Sequence, residues 1–247
     1  MASGSRRLLD WSAMSDQPVL VITGASSGIG AATAKRAAEA GYRVALGARR
    51  EDRLRELAAQ LGGSDRAIAV VCDVAEWEDV RELAQSALDS FGRIDAVFAN
   101  AGFGAKRGFL EDSVEHWRSM VLTNVLGVAL TIRAPLPHLL ERGTGHYLLT
   151  SSVAGRRVLP GSLYSATKWA VGAIGEALRQ ELRQMHDNSG IRVTLLEPGM
   201  TDTEFFDQRP RGALRDDDLA RAVVYALREP EHVDVNEILI RPAGQPG

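Results

Sequence analysis

Seven short apolar runs recur along the chain, and stretches of helical pattern separate most of them. The runs cover residues 19–22, 43–46, 67–72, 95–99, 146–150, 192–196 and 237–240. The helical stretches cover 31–40, 51–61, 77–91, 113–140 and 164–186. Within 51–61, Leu54, Leu57, Ala58 and Leu61 share one face, and Gly62 and Gly63 stop the helix. A parallel strand connection needs a long crossover, usually a helix. The alternation therefore predicts an α/β fold: a doubly wound parallel sheet of about seven strands with helices on both faces, an α/β/α sandwich. Ligands of such sheets bind outside the carboxyl ends of the strands, where strand order reverses. No linker or repeat divides the chain, so 17–247 is expected to form one domain behind a loosely ordered leader over 1–16.

Composition narrows the partners. The chain has 247 residues, 45% apolar and 25% charged, with a formal net charge of -3. Its Lys and Arg are scattered, so no nucleic-acid partner is expected. The single cysteine, Cys72, excludes an intrachain disulfide and fits a reducing compartment. The N-terminus lacks the apolar region of a signal peptide, and no apolar run is expected to approach membrane-spanning length. A cytoplasmic protein without a membrane partner is the expectation. The five His residues lack metal-ligand spacing, so no metal site is expected.

Directly after the first apolar run comes Thr23-Gly24-Ala25-Ser26-Ser27-Gly28-Ile29-Gly30, opening the first helix. Gly24 would permit a sharp turn, Gly28 a close approach to a pyrophosphate, and Gly30 tight helix packing. A helix N-terminus offers free N–H groups and partial positive charge to phosphate. Ala31-Ala32 stand where a Walker loop needs Lys-Ser/Thr, and the glycine spacing alone does not name the nucleotide. At the end of the second run, where a dinucleotide site reads the adenosine ribose, the chain has Arg49 and Arg50 and no acid until Glu51. Arg49 suits a 2′-phosphate, which favours NADP(H) over NAD(H), with NAD(H) still open. Two cations at a helix start otherwise oppose its dipole. Asp73, followed by Val74, would bond an adenine amino group or cap the next helix. Asn100, Ala101 and Gly102 end the fourth run, where Asn100 would tie strand ends together.

Tyr164 and Lys168 stand four residues apart, on one helix face, and Ser151 lies thirteen residues before the tyrosine. A phenol titrates near 10, and a close ammonium favours its ionised form. Lys168 is therefore expected to lower the Tyr164 pKa, with a serine hydroxyl beside the phenol to hold a substrate oxygen. Ser152 is the rival of Ser151. Arg156, Arg157, Arg209 and Arg211 would suit an acidic substrate, but solvated loop charge is the simpler reading.

Together these motifs resemble the short-chain dehydrogenase/reductase family, single-domain type, from about residue 19 to 242. The matching residues are the 23–30 turn, Asp73, Asn100-Ala101-Gly102, Asn124, Ser151, Tyr164, Lys168 and Pro198-Gly199. The resemblance implies a Rossmann-type sheet and hydride transfer between a nicotinamide and a small alcohol or carbonyl. It implies Tyr164 as general acid or base, Lys168 on the nicotinamide ribose, Ser151 on the substrate oxygen and Asn124 holding a relay water. Pro198, Gly199, Thr201 and Thr203 would meet the carboxamide and pyrophosphate, beneath a lid formed by the stretch after Thr203. It also implies a homodimer or homotetramer. A non-catalytic NADP(H) sensor or scaffold of the same fold would need neither Tyr164 nor Lys168, and their presence counts against it.

Overall fold

The computed structural model describes residues 17–203 and 212–245. The leader over 1–16 and the lid over 204–211 lie outside the described residues. The chain order is β1 (Val19–Thr23), α1 (Gly28–Glu39), β2 (Arg43–Ala48), α2 (Glu51–Gln60), β3 (Ala67–Val71), α3 (Trp77–Phe91) and β4 (Ala96–Ala99). There follow α4 (Val114–Arg142), β5 (Gly145–Thr150), α5 (Leu163–Gln184), β6 (Ile191–Pro198), β7 (Thr201–Asp202), β8 (Leu214–Arg215), α6 (Asp216–Arg228) and β9 (Glu237–Ile240). Seven strands form one sheet in the order β3-β2-β1-β4-β5-β6-β9, with all neighbours parallel. Strand order reverses between β1 and β4, which opens the crevice that doubly wound sheets use for ligands.

Central strands read as continuous apolar runs because both faces are covered. Successive side chains point to opposite faces. Leu20, Ile22 and Leu46 pack with Ala34 of α1, Leu54 of α2 and Val223 of α6, while Val21, Ala45 and Val97 pack with Leu83 of α3, Val128 of α4 and Val171 of α5.

Three departures from the sequence reading have local causes. The fourth strand begins one residue late, because Asp95 turns its carboxylate to the Val19 N–H and to Arg93 and Arg142. The helix expected over 113–140 is interrupted: Leu122–Leu126 form a π-helical turn around Asn124, and Pro135, which lacks an N–H, starts a new segment over Leu136–Arg142. The helix α6 was not expected. Its signals are Asp216, Asp217 and Asp218 in the first turn, Arg228 in the last, and buried Leu219, Val223 and Leu227 between them. The expectation about membrane-length apolar runs also needs correction. The 29 residues of α4 are long and apolar enough to cross a membrane. In this fold Met120, Val128, Ile132 and Leu139 of that helix are instead buried in the protein.

Candidate active site

The carboxyl ends of the central strands open onto a cleft of about 1460 Å³ that runs from Arg49 past the glycine turn to Tyr164. At one end the turn is set by backbone geometry. Gly24 has φ +66°, and a Cβ there would lie 2.8 Å from the Ala101 Cα. A Cβ on Gly30 would lie 2.4 Å from the Gly24 carbonyl oxygen and 2.8 Å from Asn100 Nδ2. The helix thus seats on the turn only with glycine at 30. Gly28 faces Thr203, whose methyl would sit 3.2 Å from an added Cβ.

Asn100 does tie strand ends together. Its Nδ2 donates to the Thr23 and Gly24 carbonyls at 3.2 and 3.4 Å, and its Oδ1 accepts from Thr150 Oγ1 at 3.2 Å. Arg50 converges on the turn, with Nε 3.1 Å from Ser26 Oγ and Nη2 2.5 Å from Ser27 Oγ. The Arg49 side chain is 70% exposed and reaches Asp73 at 4.0 Å. Asp73 Oδ1 accepts from the Ala75 N–H at 3.0 Å, turning the chain toward α3. Val74 is a core residue that abuts Gly127 of α4. Ala101, Gly102, Pro198, Gly199, Thr201 and Ile29 line the cleft or its rim.

At the other end, Ser162 caps α5 by accepting from the Ser165 N–H at 3.2 Å, which puts Tyr164 in the first turn and Lys168 one turn later. Lys168 is 4% exposed and donates from Nζ to the Thr150 carbonyl at 2.7 Å. Its Nζ stands 5.6 Å from the Tyr164 ring centre. The expected lowering of the Tyr164 pKa does not appear. Burial pushes the phenol up to about 12, and a hydrogen bond with Ser152 only partly offsets this. Burial also pushes the Lys168 ammonium down to about 8. The physical reason is desolvation, which disfavours the charged form of both groups.

The hydroxyl beside Tyr164 belongs to Ser152 rather than Ser151. Ser151 Oγ donates to the Lys168 carbonyl at 3.0 Å and is packed against Gly155, where an added Cβ would lie 2.6 Å from it. Ser152 Oγ accepts from the Ala154 N–H at 3.1 Å and faces the Pro198 carbonyl at a long 3.4 Å. Family spacing favours Ser151; both serines border the cleft, and the 3₁₀ turn at Val153–Gly155 follows Ser152, whose hydroxyl is the one hydrogen-bonded with Tyr164.

Asn124 is fully buried, and its side chain clamps two segments. Oδ1 accepts from the Phe103 N–H at 3.0 Å, while Nδ2 donates to the Phe103 carbonyl at 2.9 Å and to Thr167 Oγ1 at 3.1 Å. The π-helical turn is what aims this amide across to α5. Thr201 donates its hydroxyl to the Gly199 carbonyl at 3.0 Å, and the Met200 N–H donates to Gln245 Oε1 at 2.9 Å.

Several cleft residues had no clear sequence signal. Thr150 contributes through its backbone carbonyl. Gln245 reaches back from beyond β9. His116 stacks on Phe103 with ring centres 5.2 Å apart, and its Nδ1 lies 2.7 Å from Asp112 Oδ2. Arg156 is held by Glu197 at 2.7 Å and by Glu237. Arg209 and Arg211 lie outside the described residues.

A parallel doubly wound sheet with a glycine turn and a Tyr/Lys/Ser cluster in one crevice defines a nucleotide-binding oxidoreductase type. Residues 18–213 match the short chain dehydrogenase family. The sequence is 40% identical over 240 residues to an uncharacterised oxidoreductase of Staphylococcus saprophyticus, covering 92% of this chain and 96% of that one. An alcohol dehydrogenase from the archaeon Thermococcus sibiricus, solved with 5-hydroxy-NADP, superposes with a TM-score of 0.85 at 36% identity, covering 93% and 98% of the two chains. A short-chain dehydrogenase/reductase from Burkholderia phymatum, solved with NAD, gives a TM-score of 0.81 at 30% identity, covering 91% and 89%. The chain belongs to the short-chain dehydrogenase/reductase family and is an oxidoreductase.

Proposed function

We propose that this protein is an NADP(H)-dependent reductase of a small carbonyl compound, with Tyr164 as the general acid. The observation that carries this reading is the meeting of the Tyr164 and Ser152 hydroxyls and the buried Lys168 with the glycine turn in one cleft. A dinucleotide fits the chain's own geometry: Gly24 and Gly30 have no room for a Cβ, so α1 seats tightly on the turn and its N-terminal N–H groups stand at the cleft. A bound nicotinamide supplies the hydride to a carbonyl carbon, or accepts it from an alcohol carbon.

The residues supply the proton and the alignment. Ser152 holds its hydroxyl only loosely on the Pro198 carbonyl, so it is available to donate to a substrate oxygen. Tyr164, protonated at neutral pH, gives its proton to that oxygen as the alcohol forms. Lys168, near 8, is placed to return a proton toward the phenol. Asn124 Oδ1 and Lys168 Nζ both border Gly102, 3.0 and 3.5 Å from where its Cβ would be, and in this reading the proton route runs past that pair. Reduction starts with Tyr164 as an acid, and by microscopic reversibility the same group takes the proton back when an alcohol is oxidised. Ser151 then supports the site by fixing the turn that carries Ser152.

Preference for NADP(H) is supported by Arg49 and Arg50 beside Ser26 and Ser27, with Arg49 open to solvent for a 2′-phosphate. Self-association is supported by exposed Val114, Val121 and Leu122 on α4 and Trp169 on α5, apolar groups that a second copy of the chain would cover.

The test is NADPH oxidation across aldehydes, ketones and 3-oxo acids, for wild type and Tyr164→Phe. Turnover that falls about 10²- to 10⁴-fold in the variant, with NADPH binding kept, is the expected result. A variant equal to wild type, or no turnover of any substrate, sinks the reading.

A further inference from the structure

We infer that the substrate carries an anionic group, a carboxylate or phosphate, which Arg107 and Arg157 hold at the end of the cleft away from Arg49. This rests on the reductase reading and names the substrate class for that same site.

The charge of the cleft differs from that of the chain. The protein has 29 Lys and Arg against 32 Asp and Glu. The cleft wall takes seven of the former and a single acid, Asp73. Four of the seven already have work. Arg49 and Arg50 stand at the glycine-turn end, Lys168 is bonded to Thr150, and Arg156 is held between Glu197 and Glu237. Arg107, Arg157 and Arg241 remain, with no carboxylate partner among the described residues.

Arg107 and Arg157 come from two loops that touch, since the Gly108 N–H donates to the Gly161 carbonyl at 2.8 Å. Those loops also carry Phe103 and Ser152, so both arginines belong to the substrate end. Among the described residues the nearby acids stand apart from both arginines. Asp112 is bonded to His116, and Glu197 and Glu237 to Arg156, while Glu111 packs against Gly108 outside the wall. His116 lines the same wall, and Asp112 fixes its Nδ1, which leaves Nε2 as a further polar contact. Guanidinium groups without acidic partners match the planar oxygens of a carboxylate or phosphate. The pairing of Arg156 explains why the neighbouring Arg157, and not Arg156, has this role.

The experiment compares substrates that differ by one anionic group. With NADPH, kcat/KM is measured for acetoacetate against methyl acetoacetate, and for dihydroxyacetone phosphate against dihydroxyacetone. The charged member of one pair is expected to lead by about tenfold to a hundredfold. The winning pair tells carboxylate from phosphate. Arg107→Ala and Arg157→Ala should each raise KM for the charged member about tenfold more than for the neutral one, with Arg157→Lys recovering part of the loss. Neutral members that react as well as charged ones, or a preference that survives the double alanine variant, overturn the inference while leaving the reductase reading intact. In parallel, the NADPH complex is titrated by fluorescence with 3-hydroxybutyrate and its methyl ester, and with glycerol 3-phosphate and glycerol. Equal binding of charged and neutral probes overturns the inference even when none of the four ketones reacts. Failure of the wider carbonyl panel refutes the reductase reading separately.

Discussion

The two ends of the cleft are built by different means. At the glycine-turn end the fit is set by close approach of the backbone: Gly24 and Gly30 are glycine because other atoms stand 2.4–2.8 Å from where a Cβ would be. At the proton-transfer end the walls are side chains, brought from β5, α4 and α5 by hydrogen bonds between residues far apart in sequence. Lys168 reaches the Thr150 carbonyl, Asn124 reaches Phe103 and Thr167, and Ser152 reaches Tyr164. Asn100 joins the ends, with its amide on the turn and its Oδ1 on Thr150. A site set by close backbone approach fails through size, whereas a side-chain-walled site fails through protonation and orientation. Substitutions at the two ends should therefore give different kinds of loss.

The largest expected effect separates the two serines at the side-chain end. Ser152→Ala removes the hydroxyl that faces Tyr164 and should lower kcat by about 10²- to 10³-fold, with cofactor affinity kept. Ser151→Ala removes a buried hydrogen bond to the Lys168 carbonyl, which is worth about 1 kcal/mol of stability, and should leave kcat within a few-fold. Steady-state kinetics with urea unfolding reads both. A loss of turnover in Ser151→Ala alone would return the substrate oxygen to Ser151.

Next in size is a pH effect that the backbone end cannot show. Lys168 is lowered in the fold from 10.5 to about 8. Between those values the unfolded chain holds the extra proton, so stability rises with pH; below about 8 the cost of the buried charge is fully present. Tyr164 is raised from 10.0 to about 12, and acts in the opposite sense only above about 10. From about pH 7 to about pH 9.5 the cofactor-free protein should therefore gain about 2 kcal/mol relative to Lys168→Met. Urea midpoints of both proteins at the two pH values give the difference. Parallel pH dependences would mean that Lys168 titrates normally.

Gly30→Ala probes the backbone end. The added Cβ would strike the Gly24 carbonyl and Asn100 Nδ2, so overpacking of about 1–3 kcal/mol is expected, less about 1 kcal/mol returned by helix propensity. NADPH affinity should fall with it, while the pH response of Lys168 stays. A variant that binds NADPH as wild type does would show that the turn can give way at this contact.

The same contrast explains what the sequence made legible. The sheet was readable because each strand is a compact apolar run, and the glycine turn because strain and close approach select one residue type in a short, contiguous segment. Tyr164 and Lys168 were readable as a helix pair, with Ser162 as the cap that sets their frame. The choice between Ser151 and Ser152 was not, because it depends on a 3₁₀ turn and on a contact with α5. The Tyr164 pKa was misjudged because spacing reveals a nearby ammonium but not the desolvation of both groups. The α6 helix has its signals in Asp216–Asp218 and the spacing of Leu219, Val223 and Leu227, a single short amphipathic pattern that follows a sequence with few helix or strand cues. The pairing of Arg156 with Glu197 and Glu237 needs β6 and β9 to be neighbours, which only topology supplies.

The smallest effect lies at the outer limit of the backbone end, where Arg49, beside the turn-bound Arg50, stands in solvent. Arg49 is 70% exposed and only 4.0 Å from Asp73, so its present ion pair contributes little, as exposed pairs do. A 2′-phosphate carries more charge than that carboxylate and would draw Arg49 from it. Arg49→Ala should thus weaken NADPH binding by about tenfold, leave NADH binding within about twofold, and leave stability nearly unchanged. Dissociation constants from fluorescence titration of both cofactors provide the measurement. Wild-type protein that binds NADH more tightly than NADPH would overturn the assignment of Arg49, and would place recognition of the ribose on Asp73 and its neighbours instead.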